Sequence, residues 1–185
     1  MNSLTDNSLM LKVKSGDLDK MALLFERHHR PLYRFLYHMT GKKDACQDMV
    51  QNVFYRMLKY RHTFTGEGEF KTWMYHLSRN VLNDHFKHNK SMNHLDIQTL
   101  ADTLDSGIDA YLHLEEKDNA ELIQNALSRL GTEHREILVL SRFQELKYNE
   151  IASILNINEG AVKVRVYRAM GELKKIFLKN NKKTI

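Results

Sequence analysis

The sequence predicts an all-α protein of two small helical domains joined by an acidic linker. Three observations predict it. Apolar residues recur at helical spacing along most of the 185-residue chain, no stretch of useful length alternates in the manner of a strand, and residues 90–118 lose the apolar periodicity while collecting Asp96, Asp102, Asp105 and Asp109. A break of that composition between two periodic segments reads as a linker with room for one short helical turn. The expected organisation is a domain over residues 1–89, a linker over 90–118 and a domain over 119–185.

LDKMALLFERHH is expected as a first helix. The only proline, Pro31, precedes LYRFLYHMT and is placed at the first turn of a second helix, where a missing N–H costs nothing. Gly41 and Lys42 mark the next break. From residue 45 to 58, Ala45, Met49, Val53 and Met57 form one ridge and Cys46, Val50, Phe54 and Leu58 its neighbour, so this helix buries one face. Its other face carries Gln47, Asp48, Gln51, Asn52, Tyr55 and Arg56, and Asp44 stands where an acid favours a helix start. TFTGEGEF, with Gly66 and Gly68, interrupts the helices, and KTWMYHLSRNVLNDHFKH resumes them. Beyond the linker, Asn119 to Leu130, Glu133 to Phe143, Tyr148 to Leu155 and Glu159 to Phe177 are expected as four helices, separated by Gly131, a turn over 144–147 and Asn156.

Charge sharpens the division. Residues 1–89 carry fourteen Lys and Arg against nine Asp and Glu; residues 90–118 carry two against seven; residues 119–185 carry twelve against seven. Two basic blocks flanking an acidic stretch suit two polyanion-binding modules on a linker, and equally a basic protein with an acidic loop. No run reaches the roughly 18 apolar residues of a membrane helix, and MNSLTDNSLM lacks the basic-then-apolar build of a signal peptide, so a cytoplasmic location is expected. The lone Cys46 has no second thiol and reads as a small buried side chain. His28 with His29 and His85 with His88 are the close histidine pairs. No HExxH, cysteine pair, phosphate loop or nucleophile motif accompanies them, so they read as solvated helix histidines in a protein that is not an enzyme and needs no cofactor.

The C-terminal segment YNEIASILNINEGAVKVRVYRAM has the spacing of a helix-turn-helix. Ile151, Leu155, Ile157, Val162 and Val166 supply its apolar centre, Ala152 is small where the helices approach, and Asn156 can take the left-handed turn conformation. On the second helix Gly160, Lys163, Val164, Tyr167 and Arg168 share the outer side. Lys163 and Arg168 can reach guanine edges or phosphates, and Val164 a thymine methyl. Arg165 lies nearer the buried edge and reaches for a phosphate instead. The other reading of the segment is a helical hairpin with a solvated basic face.

In the N-terminal half, aromatic and basic residues interleave through Tyr60, Arg61, Phe64, Phe70, Lys71, Trp73, Tyr75, Arg79, Phe86 and Lys87, the mixture that single-strand binders use for stacking and backbone neutralisation. Phe70 and Trp73 read as core packing. Phe64, in a loop, and Asn80, an amide able to read an extruded base, are the candidates for contact, with Arg79 and Lys87 beside them on the same helix.

Two segments together carry a family resemblance. LYRFLYHMTGKKDACQDMVQNVFYRMLKYRHTFTGEGEFKTWMYHLSRNVLNDHFKH resembles sigma region 2, and LSRLGTEHREILVLSRFQELKYNEIASILNINEGAVKVRVYRAMGELKK resembles sigma region 4, in the layout of extracytoplasmic-function sigma factors of the sigma-70 family. The resemblance implies a factor that binds RNA polymerase core and promoter DNA. Asp48, Gln51 and Asn52 would face the coiled coil of the polymerase beta-prime subunit. The loop 63–69 with Phe64, and the next helix with Asn80, would capture a flipped base of the minus-ten element. The helix-turn-helix would read the minus-thirty-five element and its domain rest on the beta flap, while the linker threads toward the RNA exit path. Met74 stands where primary sigma factors place a second tryptophan, which implies weaker melting and stricter promoter choice. Val164, where many relatives carry serine, and Asn149, where an acid is frequent, leave the minus-thirty-five preference open. The resemblance also admits an anti-sigma factor as partner, and the opposed charges suggest that the two modules close on each other when free. The rival reading is a helix-turn-helix transcriptional regulator that acts without core polymerase.

Overall fold

A computed structural model of the chain describes residues 4–92 and 114–181, and among them every regular element is helical. The acids at 96, 102, 105 and 109 that mark the expected linker lie outside the described residues. The helices on either side run further than the sequence suggests, one to Met92 and the next from Leu114.

The first unit opens with α1 (Asp6–Lys14), a helix the sequence pattern does not announce. The Thr5 hydroxyl caps it by accepting the Ser8 N–H at 3.2 Å, and Leu9, Met10 and Val13 point inward. Next comes α2 (Lys20–Thr40), and here the expectation of two helices is corrected: the chain runs through Pro31 as one helix. Proline removes one backbone bond and crowds the preceding turn, at a cost of about 3 kcal/mol. The stripe of Met21, Leu24, His28, Leu32, Phe35, Leu36 and Met39 is buried on both sides of Pro31 and offsets it, since each fully buried apolar side chain contributes about 1.5–3 kcal/mol. Gly41 ends α2 in the left-handed region (φ 70°), its N–H returning to the Tyr37 carbonyl at 2.7 Å.

Helix α3 (Lys43–Lys59) buries both predicted ridges except at their ends, where Ala45 and Leu58 are half-buried, and a 3-10 turn (Arg61–Thr63) leads to α4 (Phe70–Met92). Cys46 is fully buried and its thiol donates to the Lys42 carbonyl at 3.0 Å; burial pushes its pKa up to about 11, so it acts as a small apolar side chain rather than a nucleophile.

The second unit contains α5 (Leu114–Ser128), α6 (Thr132–Leu138), α7 (Tyr148–Leu155) and α8 (Glu159–Asn181). Between α6 and the turn before α7, Val139–Phe143 form a π turn, in which the Gln144 N–H bonds the Val139 carbonyl at 3.0 Å. Leu127, Ile137, Leu140, Ile151, Ile154, Val162 and Ala169 form the centre of this unit. The two units touch: α4 lies against α7, and α2 against α5, α6 and the π turn.

Candidate nucleic-acid interface

The helix-turn-helix geometry arises from local chemistry. At the start of α7 the Glu150 carboxylate reaches back to accept the Lys147 N–H at 2.7 Å. Asn156 takes the left-handed conformation (φ 54°, ψ 49°), and the Ile157 N–H then bonds the Ala152 carbonyl at 3.0 Å, which turns the chain sharply. Asn158 accepts the Ala161 N–H at 2.7 Å and starts α8. Burying Val162, Val166 and Ala169 drives Lys163, Val164, Tyr167 and Arg168 outward. At 3.6 residues per turn these four span an arc of about 140°. Tyr167 is 82% and Val164 48% exposed, so the face is open to a groove. Arg165 is half-buried, 3.9 Å from the Glu133 carboxylate, apart from that arc.

A second surface lies on α4. Asn80 and Lys87 line an open cleft of about 480 Å³ with Tyr60, Thr63, Leu77 and Asn83, where Arg56 pairs with Asp84 at 2.8 Å. The structure brings Asn80 and Lys87 together there, but it corrects the expectation for Phe64. That ring is 3% exposed, tilted against Trp73 at 5.3 Å and edge-on to Phe70 at 6.3 Å. Its loop is also held by α1: Lys14 donates to the Phe64 carbonyl at 2.6 Å, and Leu11 packs so closely on the left-handed Gly66 (φ 81°) that an added Cβ would meet it at 3.2 Å. Phe70 is buried and Trp73 half-buried, its indole N–H donating to the Thr63 hydroxyl at 3.2 Å.

Arg79, expected on the same strand-binding surface, is turned toward the second unit instead. Its guanidinium donates to both carboxylate oxygens of Glu136 (2.7 and 3.3 Å) and to the Ile154 carbonyl (2.8 Å). A bidentate, charge-assisted contact outcompetes the solvent that an exposed arginine would face. Around it, the Tyr75 hydroxyl donates to Gln144 at 2.6 Å, and burial pushes that phenol pKa strongly up. His38 bonds Gln124 at 3.0 Å and packs on Phe143, ring centroids 4.4 Å apart, while Arg135 donates to the Met39 carbonyl at 2.8 Å.

Asp48, Gln51 and Asn52 are all exposed on α3, next to a 62% exposed Tyr55. Asn52 accepts from Arg56 at 3.1 Å, leaving Asp48 and Gln51 as the open polar groups. The histidine expectation needs one correction. His28 is buried rather than solvated, bonded to Asp6 at 2.8 Å; burial lowers its pKa against the pull of that carboxylate. Among the described residues no group of His, Cys, Asp and Glu could hold a metal ion, and no helix is long and apolar enough to cross a membrane.

Known proteins share both halves of this architecture. Residues 24–92 match Sigma-70 region 2 and residues 120–173 match Sigma-70, region 4. The chain is 30% identical to the ECF RNA polymerase sigma factor SigW of Bacillus subtilis over 175 residues, 89% of this chain and 92% of that one. It is also 30% identical to the ECF RNA polymerase sigma factor BldN of Streptomyces coelicolor, over 91% of this chain but 64% of that longer protein. In fold it resembles CnrH, solved in complex with the cytosolic domain of CnrY (TM-score 0.73, 19% identity, 93% and 96% of the two chains).

Proposed function

The chain belongs to the extracytoplasmic-function sigma factors of the sigma-70 family, and on that premise we propose how its surfaces divide the work of promoter recognition. A protein of this family directs RNA polymerase core to promoters and is not itself an enzyme. In the proposed division, residues 1–89 bind core and open the minus-ten element, and residues 119–185 read the minus-thirty-five element. The work takes place in the cytoplasm.

The observation that carries the reading is the outward arc of Lys163, Val164, Tyr167 and Arg168 on α8, a basic and apolar strip of major-groove width. Arg165 supports it from the edge as a phosphate contact. On the first unit, Asp48, Gln51 and Asn52 form the core-polymerase face. The cleft holding Asn80 and Lys87 receives the unstacked minus-ten base, whose extrusion costs a few kcal/mol and is offset by the pocket and by phosphate contacts. Phe64 and Arg79 join that surface only after rearrangement: Phe64 must leave Phe70 and Trp73, and Arg79 must leave Glu136. In the free chain the two units are therefore closed on each other, and core polymerase or promoter separates them. A protein partner such as an anti-sigma factor fits the same logic by holding that state or replacing it. The regulator reading leaves the polar face of α3 and the region 2 match without a purpose.

The test is to mix the purified chain with bacterial core polymerase and follow complex formation for wild type, Asp48→Arg and Gln51→Ala. Stable binding that weakens in both variants is expected. A wild type that ignores core but binds duplex DNA alone would return the regulator reading.

A further inference from the structure

Where the closed units meet, a second cleft of about 200 Å³ opens between α2, the start of α4 and the turn after the π segment. From the first unit it is lined by Arg27, Arg34 and Lys71, and from the second by Gln144 and Glu145. Arg27 is already engaged, donating to Asp6 and to the Leu4 carbonyl, both at 2.8 Å. Arg34 and Lys71, both exposed, have no hydrogen bond or ion pair among the described residues, so two cations on the cleft's lining face a single carboxylate there, that of Glu145. The Gln144 amide adds a directional group. Its oxygen accepts the Tyr75 hydroxyl at 2.6 Å, while its NH₂ is buried without an acceptor, and a buried donor left unmade is costly. Glu145, at the rim, holds the left-handed conformation (φ 53°), uncommon for a residue other than glycine.

The geometry points to a binding site for a small phosphate-type anion, held by Arg34 and Lys71 from the first unit and by the Gln144 amide from the second. The cleft is smaller than the roughly 300–1,000 Å³ of drug-sized ligand sites, which suits an inorganic phosphate or short polyphosphate group rather than a larger ligand or chain segment. A guanidinium fork, an ammonium and an amide donor match the oxygen-rich periphery of such an anion. Because the lining comes from both units, the anion binds the closed chain and not the open one, and its binding favours closure by linkage. The inference rests on the closed arrangement proposed above. Glu145 opposes an anion, and its charge sets the affinity.

The experiment titrates the full chain with tripolyphosphate, and separately with orthophosphate, by calorimetry, while small-angle scattering reports closure. One tripolyphosphate per chain is expected. The double variant R34Q/K71Q should weaken it at least tenfold, and Glu145→Gln should tighten it. Equal weakening by K12Q/K43Q, which removes two exposed lysines elsewhere, would show general charge attraction and overturn the site. A chain opened by Glu136→Ala that still binds tightly overturns the role of the second unit, and scattering then tells separately whether the chain was closed at all. Displacement of the anion by a single-stranded oligonucleotide that leaves the scattering profile open would assign the cations to a DNA backbone instead, against the inference.

Discussion

Replacing Glu136 with alanine isolates the contact between the two units. The carboxylate is 14% exposed and Arg79 29%, and the two share a bidentate bond that the Ile154 carbonyl extends. Hydrogen bonds to charged groups contribute about 1.5–3 kcal/mol net, more than the 0–1 kcal/mol of exposed pairs. A loss of about 2 kcal/mol from the closed state alone lowers the closed-to-open ratio about 30-fold, at roughly 1.4 kcal/mol per decade. Small-angle scattering reads the change. A compact particle of this length has a radius of gyration of about 16 Å, and the variant should exceed it measurably. Capture of a single-stranded minus-ten oligonucleotide by the chain should improve in step, because apparent affinity scales with the competent fraction. An unchanged radius together with unchanged capture in Glu136→Ala would refute the argument that this ion pair holds the units together.

Other consequences are open to simpler assays. Burial holds the pKa values of His28, His38, His76 and His85 below the usual histidine value. The unfolded chain therefore binds more protons, so stability is full above about pH 6.5 and falls as pH drops below it. Thermal scans from pH 7.5 to 5.5 should show a falling midpoint, and a rising one would contradict the assignment. Asp6, whose pKa is lowered by Arg27 and His28 despite the opposing effect of burial, adds a second loss only near pH 4 and below. In the assembled holoenzyme, Arg168→Ala and Lys163→Ala should each weaken binding of a minus-thirty-five duplex; a base contact loses about 1–3 kcal/mol and specificity, whereas a phosphate contact loses affinity evenly and lowers the salt slope. Phe35→Ala, at a fully buried site on α2, should destabilise the chain by about 3–5 kcal/mol in denaturant titration, with a cost under 1 kcal/mol arguing that the core collapses around it.

The legible parts of the fold were those with a local period. Helix α7 has the bounds read from sequence, and Asn156 turns as its short amide suggests, because both are fixed by neighbours within a few residues. Pro31 misled for a physical reason: its own preference marks a helix start, and only the buried stripe on either side carries the helix through it. Helix α1 spans nine residues with three inward apolar positions, too little pattern to stand out, yet its Lys14 holds the backbone of the loop at Phe64. Arg79 and Glu136 are 57 residues apart, and Tyr75 and Gln144 are 69 apart. Such polar pairs leave no periodic trace, so surface cations and latch cations look alike in the sequence. On α8, by contrast, the exposed face was readable because the buried residues beside it define it.

The π turn gives the second unit an unusual relation between chain length and orientation. Val139–Phe143 carries one residue more than an α-helical turn needs, and it sits just before Gln144. Winding the same five residues as a regular α-helix would advance the downstream chain by about 100° around the axis, the turn of one residue that the wider π turn absorbs. Phe143 and Gln144 would sweep away from His38 and Tyr75, although no side chain at the junction had changed. The π turn thus works as an angular setting: the winding of one turn decides whether the two halves of the protein face each other.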